Sequence, residues 1–282
     1  METSLIVLGS GQDGGAPQLG HRSSISESRT ASSVAVVSAS GAVVLLDASP
    51  DIRVQSRMLL ESPLYPTGRE SLVDSVFITH AHMGHYTGLL HFGNEAAATD
   101  RVPLFGSRRF VNFMEENEPW ATLLTAGNLD PIPIDTTSIT IDHTLAVAAI
   151  TVPHRDEFSD TVAFSVEVDR SPWLLYLPDI DDWQSWDDAE SEIARHDIAI
   201  LDATFSASDE LPDRDITSMR HPLVPDTIAR FAHLTADTDI VLTHINHSNA
   251  LGNRTATITR KATDAGFTVA YDGLTLERGR AG

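Results

Sequence analysis

Cysteine is absent from this chain of 282 residues, which excludes disulfides and thiolate metal sites alike. Lysine occurs only at Lys261; with the arginines it makes 19 basic residues against 40 acidic ones, a formal net charge of −21. Such a surface repels polyanions, and counterion release cannot favour nucleic-acid binding without a basic patch. The local basic groupings are Arg108-Arg109 and the pair Arg278 and Arg280. No apolar run approaches the ~18 residues that mark a transmembrane helix. Met1-Glu2-Thr3-Ser4 carries no basic residue ahead of the short run Leu5-Ile6-Val7-Leu8, so the start reads as a first strand and not as a signal peptide. A cytoplasmic protein is expected, with a small-molecule substrate and with neither nucleic acid nor membrane as partner. A homodimer stays open.

What the chain does have is a core and many histidines. At 41% hydrophobic residues it can bury a sizeable core. No linker, repeat or low-complexity tract divides it, so one domain over residues 1–282 is expected. Apolar runs predict strands over 5–8, 33–38, 42–46, 73–79, 139–141, 145–152, 162–168, 173–177, 198–201, 240–242 and 268–271. Helices fit from a Ser49 cap to about Leu60, and over 88–98, 108–116, 183–195, 224–234 and 256–265. Early and late strand sets flanked by helices suggest a sandwich of two sheets.

Three of the histidines stand in Thr79-His80-Ala81-His82-Met83-Gly84-His85, directly after the strand-like Val76-Phe77-Ile78. Neutral imidazole is the commonest protein ligand for zinc and related metals. On an extended segment residues i and i+2 point the same way, so His80 and His82 can grip one ion together. His85, past a tight turn, would face the same cavity from another side. The alternative is a solvated His-rich turn, but later strands supply partners. His154 ends Val152-Pro153, Asp179 follows Leu174 to Pro178, Asp202 follows Ile198 to Leu201, and His244 follows Ile240 to Thr243. His221 precedes a predicted helix, and His247 comes three residues after His244. A His or Asp closing strand after strand is hard to obtain from core packing alone. His21, His91, His143, His196 and His233 lack this context and read as surface or packing residues, His21 with a place at the site rim as its alternative. Gly9-x-Gly11-x-x-Gly14 matches the dinucleotide fingerprint by letter, but Pro17 and the missing helix start deny it the required context. It reads as a tight turn at the rim of the site.

On these residues the chain resembles the metallo-β-lactamase-fold superfamily, and within it is similar to the pyrroloquinoline-quinone biosynthesis B-like group. The resemblance runs from Val7-Leu8-Gly9-Ser10-Gly11 through the histidine segment to Thr243-His244-Ile245-Asn246-His247-Ser248-Asn249. It implies an α/β fold, an αβ/βα four-layer sandwich of two mixed sheets flanked by helices, with a metal centre at one edge. His80, His82 and His154 would form one metal site, Asp179 would bridge, and His85 with His244 would form the second. Asp197 to Thr204 also resembles the acidic motif of the phosphodiesterase branch, including the tRNA 3′-processing endonucleases, and by that likeness Asp202 and His221 would act as a proton-relay pair. The superfamily pattern H-x-H-x-D-H has Gly84 at its aspartate position here. That substitution leaves the second site with His85, Asp179 and His244, and predicts that an aspartate restored at 84 would raise its occupancy.

The expected activity is metal-dependent hydrolysis of a small ester or phosphodiester-type substrate, with zinc, one or two ions, and iron or manganese as alternatives. A three-His site with an open position would lower the pKa of bound water from about 15.7 to about 7. The alternatives are an iron-dependent oxygenase of the biosynthesis B type and a non-catalytic metal-binding or sensor protein.

Overall fold

The computed structural model describes residues 2–21, 27–135, 137–211 and 216–278; Arg280, half of the basic tail pair, lies outside them. The first half of the chain builds one sheet from β1 (Ser4–Gly9), β2 (Ser33–Val37), β3 (Val43–Leu46), β4 (Ser75–Phe77), β5 (Val102–Gly106) and β6 (Leu129–Pro133). The second half builds another from β7 (Ile139–Thr140), β8 (Leu145–Thr151), β9 (Val162–Val168), β10 (Ser171–Leu177), β11 (Ile198–Asp202), β12 (Asp239–Thr243) and β13 (Thr268–Val269). The last strand, β14 (Thr275–Glu277), returns to pair with β1. Each sheet has seven strands, in the orders β14-β1-β2-β3-β4-β5-β6 and β13-β12-β11-β10-β9-β8-β7.

Apolar runs such as Leu5-Ile6-Val7-Leu8 and Val43-Val44-Leu45-Leu46 are buried throughout because both faces of the sheet are covered. Alternation then sorts their side chains. Leu5, Val7, Val44, Leu46 and Phe77 meet Val147, Phe164, Val166, Tyr176 and Ile200 between the sheets. Ile6, Leu8, Val43, Leu45 and Val76 face outward onto α1 (Ile52–Glu61), α3 (Arg108–Glu116) and α4 (Trp120–Thr125). Leu175, Leu177, Ala199, Leu201 and Leu242 face α5 (Ala189–Ala194), α6 (Val224–Phe231) and α7 (Thr257–Asp264). The result is the expected four-layer αβ/βα sandwich.

Strand direction places the site. β1 and β3 both run antiparallel to β2, and β3, β4, β5 and β6 are mutually parallel. β8 and β10 both run antiparallel to β9, and β10, β11, β12 and β13 are parallel. The C-terminal ends of β1, β3 and β4 therefore share one edge of the first sheet, and those of β8, β10, β11 and β12 one edge of the second.

Three predicted helices differ. The first starts at Ile52 with Asp51 at its cap position; the Ser49 hydroxyl, expected to cap it, donates to Gln55 and accepts the Asp51 N–H instead. Residues 88–98 give a 3₁₀ turn over Thr87–Phe92 that stops at Gly93. The span 183–195 is helical over Ala189–Ala194, because the Asp182 carboxylate takes the N–H groups of Gln184 and Ser185 in a competing local turn.

Candidate metal centre

The histidine segment leaves β4 extended and then coils into α2 (Met83–Tyr86). His80 and His82 project together, with His80 Nε2 2.8 Å from His82 Nδ1. Across the edge, Asp179 stands between the two sheets' contributions. Its Oδ2 lies 2.9 Å from His85 Nε2, 3.3 Å from His244 Nε2 and 3.4 Å from His80 Nε2. Its Oδ1 lies 3.8 Å from His154 Nε2. The donor atoms of His80, His82, His154 and Asp179 fall within 4.8 Å of one another, and so do those of Asp13, His85 and His244.

The residues fit a metal ion on a direct observation. His85 Nε2, His154 Nε2, His244 Nε2, Asp179 Oδ1 and Asp13 Oδ1 are all buried without a hydrogen-bond partner. Each such atom costs about 1–3 kcal/mol if left so, and five lone-pair donors facing one another satisfy a cation far better than they satisfy each other. Imidazole with carboxylate suits zinc or iron. Burial pushes the His80 imidazole well below its usual range, His85 adding to the effect, and pushes His82 down to about 4. Both rings are thus in the neutral form that ligation requires. Burial raises the Asp179 carboxyl, but the imidazoles of His244, His154 and His85 outweigh it and hold the group well below the carboxylate range.

The far nitrogens of these rings are held from behind. His85 Nδ1 lies 2.8 Å from Asp47 Oδ2, His244 Nδ1 2.8 Å from Thr204 Oγ1, His80 Nδ1 3.0 Å from Thr79 Oγ1, and His154 Nδ1 3.1 Å from Asp181 Oδ1. With Nδ1 engaged in His85, His244 and His80, Nε2 is the atom left to face the centre. His82 is reversed: its Nδ1 faces His80, and its Nε2 lies 3.4 Å from Glu157. Asp47 and His244, at the ends of β3 and β12, adopt left-handed backbone with φ of 61° and 60°. Non-glycine residues persist there only where the surroundings impose it.

Asp202 has no lone pair to spare for a metal. It accepts the N–H groups of Ile180 at 3.1 Å and Thr204 at 2.9 Å, the Thr204 hydroxyl at 2.7 Å and His221 Nδ1 at 2.7 Å. Because Thr204 also receives the His244 ring, Asp202 orients His221 directly and His244 through one hydroxyl. Burial lowers the His221 imidazole, but the charge and hydrogen bond of Asp202 outweigh this and hold it up near about 9. His221 also stands 3.4 Å from Asp179.

All eight residues singled out for chemistry thus lie at one edge: His80, His82, His85, His154, Asp179, His244, Asp202 and His221. His21 and His247 meet beside it with ring centroids 5.1 Å apart. His196 belongs to the core, hydrogen-bonded to Ser165 and the Glu192 carbonyl, and His233 pairs with Glu190 on the surface. Sequence reasoning missed Asp13, Asp47 and Asp181. Asp47 stops Val43–Leu46 just as Asp202 stops its own strand, so the same signal was present. The glycine-rich segment, expected to form only a turn at the rim, carries Asp13 into the cluster. That also corrects the expectation for position 84: a Cβ there would lie 2.5 Å from the Asp13 Cα, so an aspartate at 84 has no room beside the native loop.

A two-sheet sandwich with histidines and aspartates at one edge defines a metallo-β-lactamase-fold protein. Residues 43–245 match the profile of the Beta-lactamase superfamily domain, and the chain belongs to that superfamily. Within it the chain is similar to coenzyme PQQ synthesis protein B of Methylococcus capsulatus, 27% identical over an alignment 311 positions long, gaps included, that spans 96% of this chain and 98% of that protein. Zn(2+)-bound PqqB from Methylobacterium extorquens superposes with a TM-score of 0.81 at 24% identity, over 97% of this chain and 99% of that one. A diphosphatase from the PhnP family superposes with a TM-score of 0.71 at 22% identity, over 98% and 97% of the two chains. Among the described residues, no helix is long and apolar enough to cross a membrane.

Proposed function

We propose that this chain is a metal-dependent hydrolase of a small ester or phosphodiester-type substrate. The observation that carries the reading is the convergence of unpartnered imidazole and carboxylate atoms beside a separate Asp202–His221 hydrogen-bonded pair. His80, His82 and His154 would hold one ion, Asp179 would be shared, and His85 with His244 would face a second. Zinc is the ion proposed, in keeping with the zinc-bound structural relative. When bound, such an ion supplies Lewis-acid polarisation and a coordinated water with a pKa near ~7.

The chain's own groups supply the proton chemistry. His221, held in its charged form, donates a proton to the leaving oxygen, and Asp202 fixes the ring and stabilises its charge. The net charge of −21 favours a small substrate over a polynucleotide, for want of a basic surface to hold one. An iron-dependent oxygenase is a second reading, favoured by a donor set that also suits iron and by the full-length similarity to a coenzyme PQQ synthesis protein. Elemental analysis of protein purified without chelator, followed by a phosphodiester, lactone and thioester panel and an oxygen electrode, separates the two. Zinc with turnover in the panel supports hydrolysis. Iron with oxygen uptake and no hydrolytic turnover overturns it in favour of the second reading.

A further inference from the structure

The aspartate that the superfamily pattern places beside His85 is missing from position 84 but not from that space. An ideal Cβ built on Gly84 would lie 2.3 Å from Asp13 Oδ1 and 2.5 Å from Asp13 Cα. The Asp13 side chain thus fills the room that a residue at 84 would need, arriving from the far end of the first sheet. Its Oδ1 lies 3.5 Å from His85 Nε2, and the donor atoms of Asp13, His85 and His244 all lie within 4.8 Å of one another. The two ring nitrogens of that group are fully buried and lack hydrogen-bond partners, as does Asp13 Oδ1 itself.

The loop that brings Asp13 is anchored to the strand end that brings His244. Ile245 N–H donates to the Ser10 carbonyl at 3.0 Å, Gln12 N–H to the Ile245 carbonyl at 3.1 Å, and the Asn246 amide to the Gln12 side chain. Ser10 N–H and Thr30 N–H both donate to Asp272 at the base of the loop, at 3.0 and 2.7 Å. The turn that carries Asp13 and the strand end that carries His244 are therefore held together by one set of hydrogen bonds.

We propose that Asp13 supplies the carboxylate ligand of the second metal position, in the place of the motif aspartate, so that Gly84 and Asp13 form an exchanged pair: the glycine is small because the aspartate comes from elsewhere. This rests on the proposal that the edge binds metal. It makes the second position a full set of Asp13, His85, His244 and the shared Asp179.

The test is calorimetric zinc titration and metal stoichiometry on chelator-stripped full-length protein, wild type and variants. Asp13→Ala and the shape-conserving Asp13→Asn should keep the ion of His80, His82 and His154 and weaken the second by at least roughly tenfold. Gly84→Asp should also lose the second ion, since its side chain meets the Asp13 backbone and displaces the loop. Unfolding in chelator, matched between wild type and the Asp13→Asn variant, shows that any metal loss is not a folding loss. Both ions retained at wild-type affinity in Asp13→Ala and Asp13→Asn would overturn the assignment, as would a wild-type chain that binds one ion only and keeps it in both variants. A wild-type chain that binds no metal would instead remove the reading beneath it.

Discussion

Asp47 Oδ2 lies 2.8 Å from His85 Nδ1, and both side chains are fully buried. Three other groups saturate the carboxylate: the Thr79 N–H, the Thr79 hydroxyl and the Tyr176 hydroxyl at 3.1 Å. Asp47 therefore acts directly on His85 and reaches His80 only through the Thr79 hydroxyl. Asp47→Asn should weaken the ion bound by His85 by about 10–100-fold and the ion of His80, His82 and His154 less, because Asp47 reaches His80 only through Thr79. Zinc titration that shows equal loss at both positions, or none, would rule out this positioning role.

Stripping the metal should lower the thermal midpoint, because an ion bound only by the folded chain stabilises it. At a hundredfold excess over its Kd an ion contributes about 2.7 kcal/mol. Scanning calorimetry in chelator and after zinc is restored should show a reversible shift. A midpoint indifferent to chelator would mean that the imidazoles bind nothing at those concentrations.

His221→Ala should leave metal content intact, since its Nδ1 is committed to Asp202. Turnover of substrates with poor leaving groups should fall by roughly 10²–10⁴-fold, and a nitrophenyl ester, whose anion leaves unaided, should be nearly spared. Equal losses on both substrates would mean that the ring positions substrate without donating a proton. Loss of the metal would make it a ligand.

The core histidine gives a stability test away from the site. His196 Nε2 accepts from the Ser165 hydroxyl at 2.7 Å and Nδ1–H donates to the Glu192 carbonyl at 2.6 Å, so the ring is neutral. Burial lowers its pKa from 6.5 to about 4, the Glu192 carbonyl opposing and Arg195 assisting. Between those values the unfolded chain binds the proton and the folded one does not. The group's contribution is thus fully present above pH 6.5 and lost as pH falls toward about 4. The loss is at most about 3 kcal/mol at 1.36 kcal/mol per pKa unit. Urea unfolding in chelator should show His196→Gln less stable than wild type at pH 7, with the gap narrowing as the pH drops. A gap that stays constant would mean the ring is not held neutral.

The strand-end donors were legible because the apolar runs before them stop at a His or Asp, where a strand buried on both faces reaches the sheet edge. That pattern exposes Asp179, Asp202, His154 and His244 without any knowledge of topology. β5 and β6 went unread because Pro103, Pro131 and Pro133 interrupt them. Proline removes a donor from the ladder and argues against an interior strand, yet β6 is an edge strand, where it is tolerated. Asp13 was illegible for a different reason. Its role depends on a loop after β1 crossing to α2, and no local pattern encodes a meeting between segments so far apart in sequence.

The donors run from Asp13 to His244, the loop bearing the first is stitched to the residue after the last, and β14 closes on β1 beyond both. No stretch of the chain shorter than Asp13 to His244 holds the complete set of donors. The second metal position, as proposed, is therefore completed only once these two distant segments have met at the sheet edge, whereas the donors of the first lie within residues 80–179.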